Sequence, residues 1–158
     1  RETEISYLPD PSLPMLAIHA FSHGLMRQLS FDCGYASSSL RERLYLIEDR
    51  VGLLIYTAAG DSEGTLGGLV RMGEPEQFGP VIARALRSMA WCSGDPICLE
   101  TVGQGISGLN EAACHACMLV SETSCECGNA LINRRLAMGD NQTIGLFTRA
   151  LRELEETT

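Results

Sequence analysis

Apolar positions in the first part of the chain follow a helical period and then switch to short continuous runs. Ile18, Phe21, Leu25 and Leu29 recur at helical spacing, which predicts a helix with one apolar face. Ser12 is placed to cap it, and Pro14 falls in the first turn, where a missing N–H does no harm. Asp32-Cys33-Gly34 reads as its end. Ser37-Ser38-Ser39 is a second start signal, expected to give a short helical turn leading to Arg41. Two short strands are expected next, near residues 44–48 and 52–59, around Asp49-Arg50. The run Leu53-Leu54-Ile55-Tyr56 is continuously apolar and predicts a strand covered on both faces.

Residues 60–68 form a glycine-rich loop. Asp61 and Glu63 would repel a phosphate, so the loop reads as a turn whose glycines supply backbone freedom. The clearest helix spans residues 75–90, with Phe78, Val81, Ile82, Ala85, Leu86, Met89 and Ala90 on one face. Arg84 and Arg87 sit off that face, and Pro80 marks a displaced start or a kink. Residues 109–119, 129–137 and 144–155 are also expected to be helical. The predicted class is α+β, with several helices packed on a small β-sheet.

Composition narrows the function. The 158 residues carry 12 basic and 20 acidic groups, a formal net charge of −8. Every basic residue is arginine. Without lysine the chain can hold neither a P-loop nor a Schiff-base enzyme. The acidity also argues against binding a nucleic-acid backbone unaided. No apolar run approaches the length of a membrane span, and Arg1-Glu2-Thr3-Glu4 does not open a signal peptide. The chain is expected to be a single cytoplasmic domain over residues 1–158, cut from a larger protein.

Six of the seven cysteines lie within residues 92–127, a segment with five acids and no arginine. Five residues separate Cys92 from Cys98 and two separate Cys114 from Cys117, with fifteen residues between the pairs. Two close pairs at that separation match a structural zinc site. The first pair is wide, but Gly94 and Pro96 can fold it into a knuckle. The simpler alternative is that these thiols pack as small hydrophobes. Cys125 and Cys127 make a poor chelating pair unless they lie in a turn, and Cys33 is expected in the core. His115, between Cys114 and Cys117, should point away from an ion.

His19 and His23 stand four residues apart on the first helix, as zincin ligands do, but Ala20 replaces the required glutamate. They read as histidines satisfied at a helix interface, with a hydrogen bond from His23 to an acidic loop as the alternative. There is no Gly-x-Ser-x-Gly elbow, and an acidic surrounding opposes thiol activation. Thiol catalysis or redox sensing is therefore the weakest of the function classes.

The stretch from Ala113-Cys114-His115-Ala116-Cys117 to Ser124-Cys125-Glu126, followed by Asn129, Asn133-Arg134 and Leu136, resembles the MrfA-type zinc-binding (MZB) domain of certain DNA helicases. His19-Ala20-Phe21-Ser22-His23, Gly64-Thr65-Leu66-Gly67-Gly68-Leu69 and Trp91-Cys92 through Cys98 are similar to the same family. The closer likeness is to the DrmB proteins of the DISARM anti-phage system. The resemblance covers residues 16–136 and implies that Cys92, Cys98, Cys114 and Cys117 bind a structural Zn²⁺.

The expected function is then a non-catalytic, zinc-stabilised accessory domain of a helicase-associated DNA-processing protein. Its partner would be a helicase subunit or domain, with DNA reached only through the larger assembly and no small-molecule substrate. A protein-interaction module without nucleic-acid contact is the alternative, as is the C-terminal domain of an MrfA-like repair helicase. Among the arginine pairs, Arg134 and Arg135 are the candidates for a DNA contact. Ion pairing with nearby acids, such as Arg41 and Arg43 with Glu42, is the plainer expectation for all of them.

Overall fold

A computed structural model describes residues 7–48, 50–58 and 66–156. The first helix, α1 (Leu13–Cys33), begins and ends where its punctuation predicts. Ser12 accepts a hydrogen bond from the Met15 N–H, and Gly34 closes the helix at φ 71°, a left-handed conformation that glycine adopts without a Cβ clash.

The Ser37-Ser38-Ser39 segment is a single turn, with Ser39 N–H donating to Ala36 O, and it leads directly into a strand. Strands β1 (Leu40–Ile47) and β2 (Arg50–Thr57) pair antiparallel, with Leu40 opposite Thr57 and Ile47 opposite Arg50. The hairpin stands where expected, but β1 starts earlier than residue 44. The expectation that β2 is covered on both faces fails. Leu53 and Ile55 pack toward α1, whereas Leu54 and Tyr56 are exposed. A two-stranded ribbon with one helix against it has only one face to bury.

Helix α2 (Leu66–Met72) follows; residues 60–65 of the glycine-rich loop lie outside the described residues. Helix α3 (Pro75–Met89) runs with Pro80 inside it and buries Val81, Ala85, Leu86 and Met89. It packs along α1. The approach is close at Gly24, where any Cβ would overlap the Met89 side chain. That overlap is why a glycine occupies the middle of a helix, despite a cost of about 1 kcal/mol relative to alanine.

The C-terminal half is mostly irregular. A one-turn helix α4 (Ile97–Glu100) leads to β3 (Val102–Gln104), which pairs antiparallel with β4 (Asn110–Glu111). Residues 109–119 are therefore not a helix: β4 and a tight turn replace it. Of residues 129–137 only α5 (Arg134–Met138) is helical, because Asn129 and Leu131 both sit at φ 63°. The last helix, α6 (Thr148–Glu156), begins four residues later than expected and lies against α3.

The core has three linked parts. Leu25, Met26, Leu29, Leu40 and Val81 join α1 to the hairpin and α3. Met15, Cys125, Cys127, Ala130 and Leu131 close the base of α1. Leu86, Met89, Met118, Ile132 and Ala137 surround four further cysteines.

Candidate metal centre

Two backbone knuckles bring the four cysteines together. The first spans Cys92 to Cys98. Asp95 turns it by accepting from Cys92 N–H at 2.9 Å, Cys98 N–H donates to Gly94 O, and the Asp95–Pro96 peptide is cis. The second is the turn from Cys114 to Cys117, in which Met118 N–H donates to Cys114 O. In both knuckles a backbone N–H reaches a sulfur: Gly94 to Cys92 and Cys114 to Cys117, each at 3.3 Å.

The sulfur separations test whether a metal fits. Cys92 and Cys114 are 3.6 Å apart, Cys114 and Cys117 3.7 Å, and Cys98 and Cys117 3.8 Å. Four sulfurs at the ~2.3 Å Zn–S distance, tetrahedrally disposed, are about 3.8 Å from one another. A disulfide would need about 2.05 Å. The cluster thus has the size of a four-thiolate zinc site, and all four sulfurs converge within 4.8 Å.

The thiols do not ionise alike. Burial opposes ionisation of Cys114, but the Ala116 N–H and neighbouring thiols bring its pKa down to about 7. Burial pushes Cys117 up, and Cys98 is raised by burial and by Cys114 beside it. Packed thiolates repel one another, so only a cation would let all four stay charged.

The surrounding residues fix the two knuckles relative to each other. Arg134, 1% exposed, grips both Asp95 carboxylate oxygens, at 2.6 and 3.1 Å, and donates from Nε to Ala112 O. Gln104 accepts from Ala113 N–H and donates to Cys98 O. Arg27 on α1 donates to the carbonyls of His115, Ala116 and Leu119 and so caps the second turn. His115 itself is exposed, as its position between two ligands predicts.

Arg134 was a candidate for contacting DNA, and its burial removes it from any surface. Arg135 donates to Leu99 O and lies 3.6 Å from Asp140, so its charge is also engaged. Arg43 pairs with Glu126 rather than with Glu42. Period-two alternation explains this: Glu42 points inward with Leu40 and Leu44, on the face opposite Arg41 and Arg43.

A family model, the MrfA Zn-binding domain (MZB), matches residues 21–118. The chain belongs to this family. All four knuckle cysteines lie within the match. The MZB chain is also 44% identical, over 119 residues, to the DISARM protein DrmB of Bacillus paralicheniformis. That similarity covers 75% of this chain and 21% of the relative, so the chain spans about a fifth of the relative's length.

Sequence reasoning missed the roles of three residues that shape this region. Arg27 continues the stripe begun by His19 and His23, at four-residue steps along α1. Its spacing was visible, but its partners lie 88–92 residues away. Glu42 could have been placed inward from the alternation of Leu40 and Leu44. Asn129 links to Val120 through both its side-chain oxygen and nitrogen, with no local signal.

Proposed function

We propose that this MZB domain is a non-catalytic, zinc-stabilised accessory domain of a helicase-associated DNA-processing protein in DISARM-type anti-phage defence. Cys92, Cys98, Cys114 and Cys117 would hold the ion. The observation that carries the zinc assignment is the convergence of their sulfurs at tetrahedral zinc separations. The similarity to a DISARM protein carries the biological setting. Four thiolates would leave no open position for a water, so the ion would act as a cross-link. It would join the knuckle after α3 to the turn that Arg27 caps. A helicase subunit or domain would be the partner, with DNA reached only through that assembly. No helix among the described residues is long and apolar enough to cross a membrane.

A second reading, an interaction module with no nucleic-acid contact, is favoured by charge. Residues 92–127 carry five acids and no arginine, and four thiolates with one Zn²⁺ would add a further −2. The engagement of Arg134 and Arg135 supports the same reading. A basic surface on a partner would complement this region.

Zinc content and a chelation melt test the first part. Removing the metal should lower the melting temperature sharply, because ligand binding to such sites is coupled to folding. Unchanged melting with no zinc in the purified protein would refute it. Co-purification with a DNA helicase separates the two readings. Salt-sensitive helicase binding, with no change in the assembly's DNA affinity on deleting this domain, would favour the interaction module.

A further inference from the structure

The four knuckle cysteines are not the only converging donors. His19 and His23 on α1, Glu42 on β1 and Cys125 after the last knuckle place one donor atom each within 4.8 Å of the others. Both histidines are 0% exposed, Glu42 is 3% exposed and Cys125 is buried. His19 and Cys125 fall outside the residues that match the family model.

Three of the ligand separations are close to those of a coordination sphere. His19 Nε2 lies 3.2 Å from Cys125 Sγ and 3.3 Å from Glu42 Oε1, and His23 Nε2 lies 3.7 Å from Glu42 Oε1. Nitrogen and oxygen ligands at ~2.0–2.1 Å and sulfur at ~2.3 Å, set tetrahedrally, are about 3.3–3.6 Å apart. The two imidazoles meet edge to face, with centroids 4.6 Å apart.

Hydrogen bonding also leaves donor atoms of this cluster free to take a cation. His23 Nδ1 is 3.0 Å from Met118 O, and a carbonyl oxygen only accepts, so Nδ1 carries a proton. With Nδ1 committed to Met118, the Nε2 lone pair of the neutral ring would point at the Glu42 carboxylate, two acceptors that need a proton or a metal cation between them. His23 Nε2 and Glu42 Oε2 are both buried with no hydrogen-bond partner. The Met118 carbonyl is the kind of outer partner that fixes the tautomer of a metal-bound histidine. His19 has no such partner at Nδ1. Glu42 Oε1 accepts from Glu126 N–H at 3.3 Å, which orients the carboxylate.

We propose that His19 Nε2, His23 Nε2, Glu42 and Cys125 form a second, structural zinc site. The ligands come from a helix, a strand and a loop, so the ion would pin the hairpin and the Cys125 segment onto α1. Binding releases the Cys125 thiol proton to solvent. One carboxylate and one thiolate against Zn²⁺ leave the site neutral, which suits its burial better than a net charge would. Nitrogen, oxygen and sulfur donors together select zinc over magnesium or calcium, which take oxygen.

Elemental analysis after gel filtration, combined with zinc-edge X-ray absorption, tests the idea on the unaltered protein. Two zinc ions per chain are expected, with an averaged shell of about 2.5 sulfurs and about 1.5 light atoms per zinc, from one four-sulfur and one single-sulfur site. The E42A and C125A variants should each hold one zinc, in an all-sulfur shell. One zinc per chain with four sulfurs in the unaltered protein would overturn the second site. That result would show His23 and Glu42 as a buried ion pair. One zinc with mostly light ligands would instead support this site and overturn the four-cysteine assignment. The two metal assignments thus fail separately.

Discussion

Replacing Asp95 with alanine removes the acidic partner that a fully buried guanidinium has among the described residues. Arg134 is 1% exposed and makes three hydrogen bonds, two to Asp95 and one to Ala112 O. After D95A it retains only the carbonyl. Breaking a buried pair from one side costs about 3–5 kcal/mol, because the remaining charge stays desolvated. The Cys92 N–H loses its acceptor as well. At about 2–4 °C per kcal/mol for a chain of this size, the melting temperature should fall by roughly 6–20 °C.

The assay is urea unfolding at fixed free zinc, on D95A, R134M and the double variant. The double variant should recover about 1–3 kcal/mol relative to the sum of the singles, since no lone charge is then buried. Raising salt should change little, because the Arg134 end of the pair is desolvated and poorly screened. Burial would raise the Asp95 pKa, but Arg134 outweighs it and holds the carboxyl below its ordinary range. The stability gap between wild type and D95A should therefore persist above about pH 4. It should close as the pH falls through the depressed folded-state value. A D95A loss under about 1 kcal/mol, or strictly additive singles, would refute this account of the pair.

Three smaller tests follow from the packing. G24A gains about 1 kcal/mol of helix propensity but drives a methyl into Met89, at an overpacking cost of about 1–3 kcal/mol. Net destabilisation in a thermal melt is expected, relieved in G24A/M89A. N129A loses both side-chain bonds to Val120 and the residue type that tolerates φ 63°. A loss of about 2–4 kcal/mol is expected in urea unfolding. N129G should recover the backbone part only. R84A breaks a partly exposed pair with Asp32, and chemical denaturation should show under about 1 kcal/mol.

The legible parts of the fold were those with local punctuation. Ser12, Pro14 and Gly34 bracket α1, and the apolar face over residues 75–90 gives α3. The four cysteines were legible because metal spacing is itself a local pattern. Residues 109–119 misled because their apolar spacing fits a helix, while Ala112 at φ 52° and the turn at Cys114 serve the sulfur cluster instead. Arg134 read as a surface charge because nothing near it in sequence announces Asp95, 39 residues earlier. Glu42 was hidden for a similar reason: its inward position means little until His19, His23 and Cys125 are seen around it.

The long reach of α1's polar stripe also dictates a timetable. His19, His23 and Arg27 make hydrogen bonds that close loops of 88 to 106 residues. An amphipathic helix forms within about a microsecond, whereas synthesis proceeds at roughly 5–20 residues per second. During translation α1 therefore waits roughly 5–20 s for the Cys114–Cys125 segment to be made. Through that interval the nascent chain carries two histidines and an arginine with their partners still unwritten. A ribosome pause ahead of Cys114 would lengthen the wait, and holding chaperones would have their main task there.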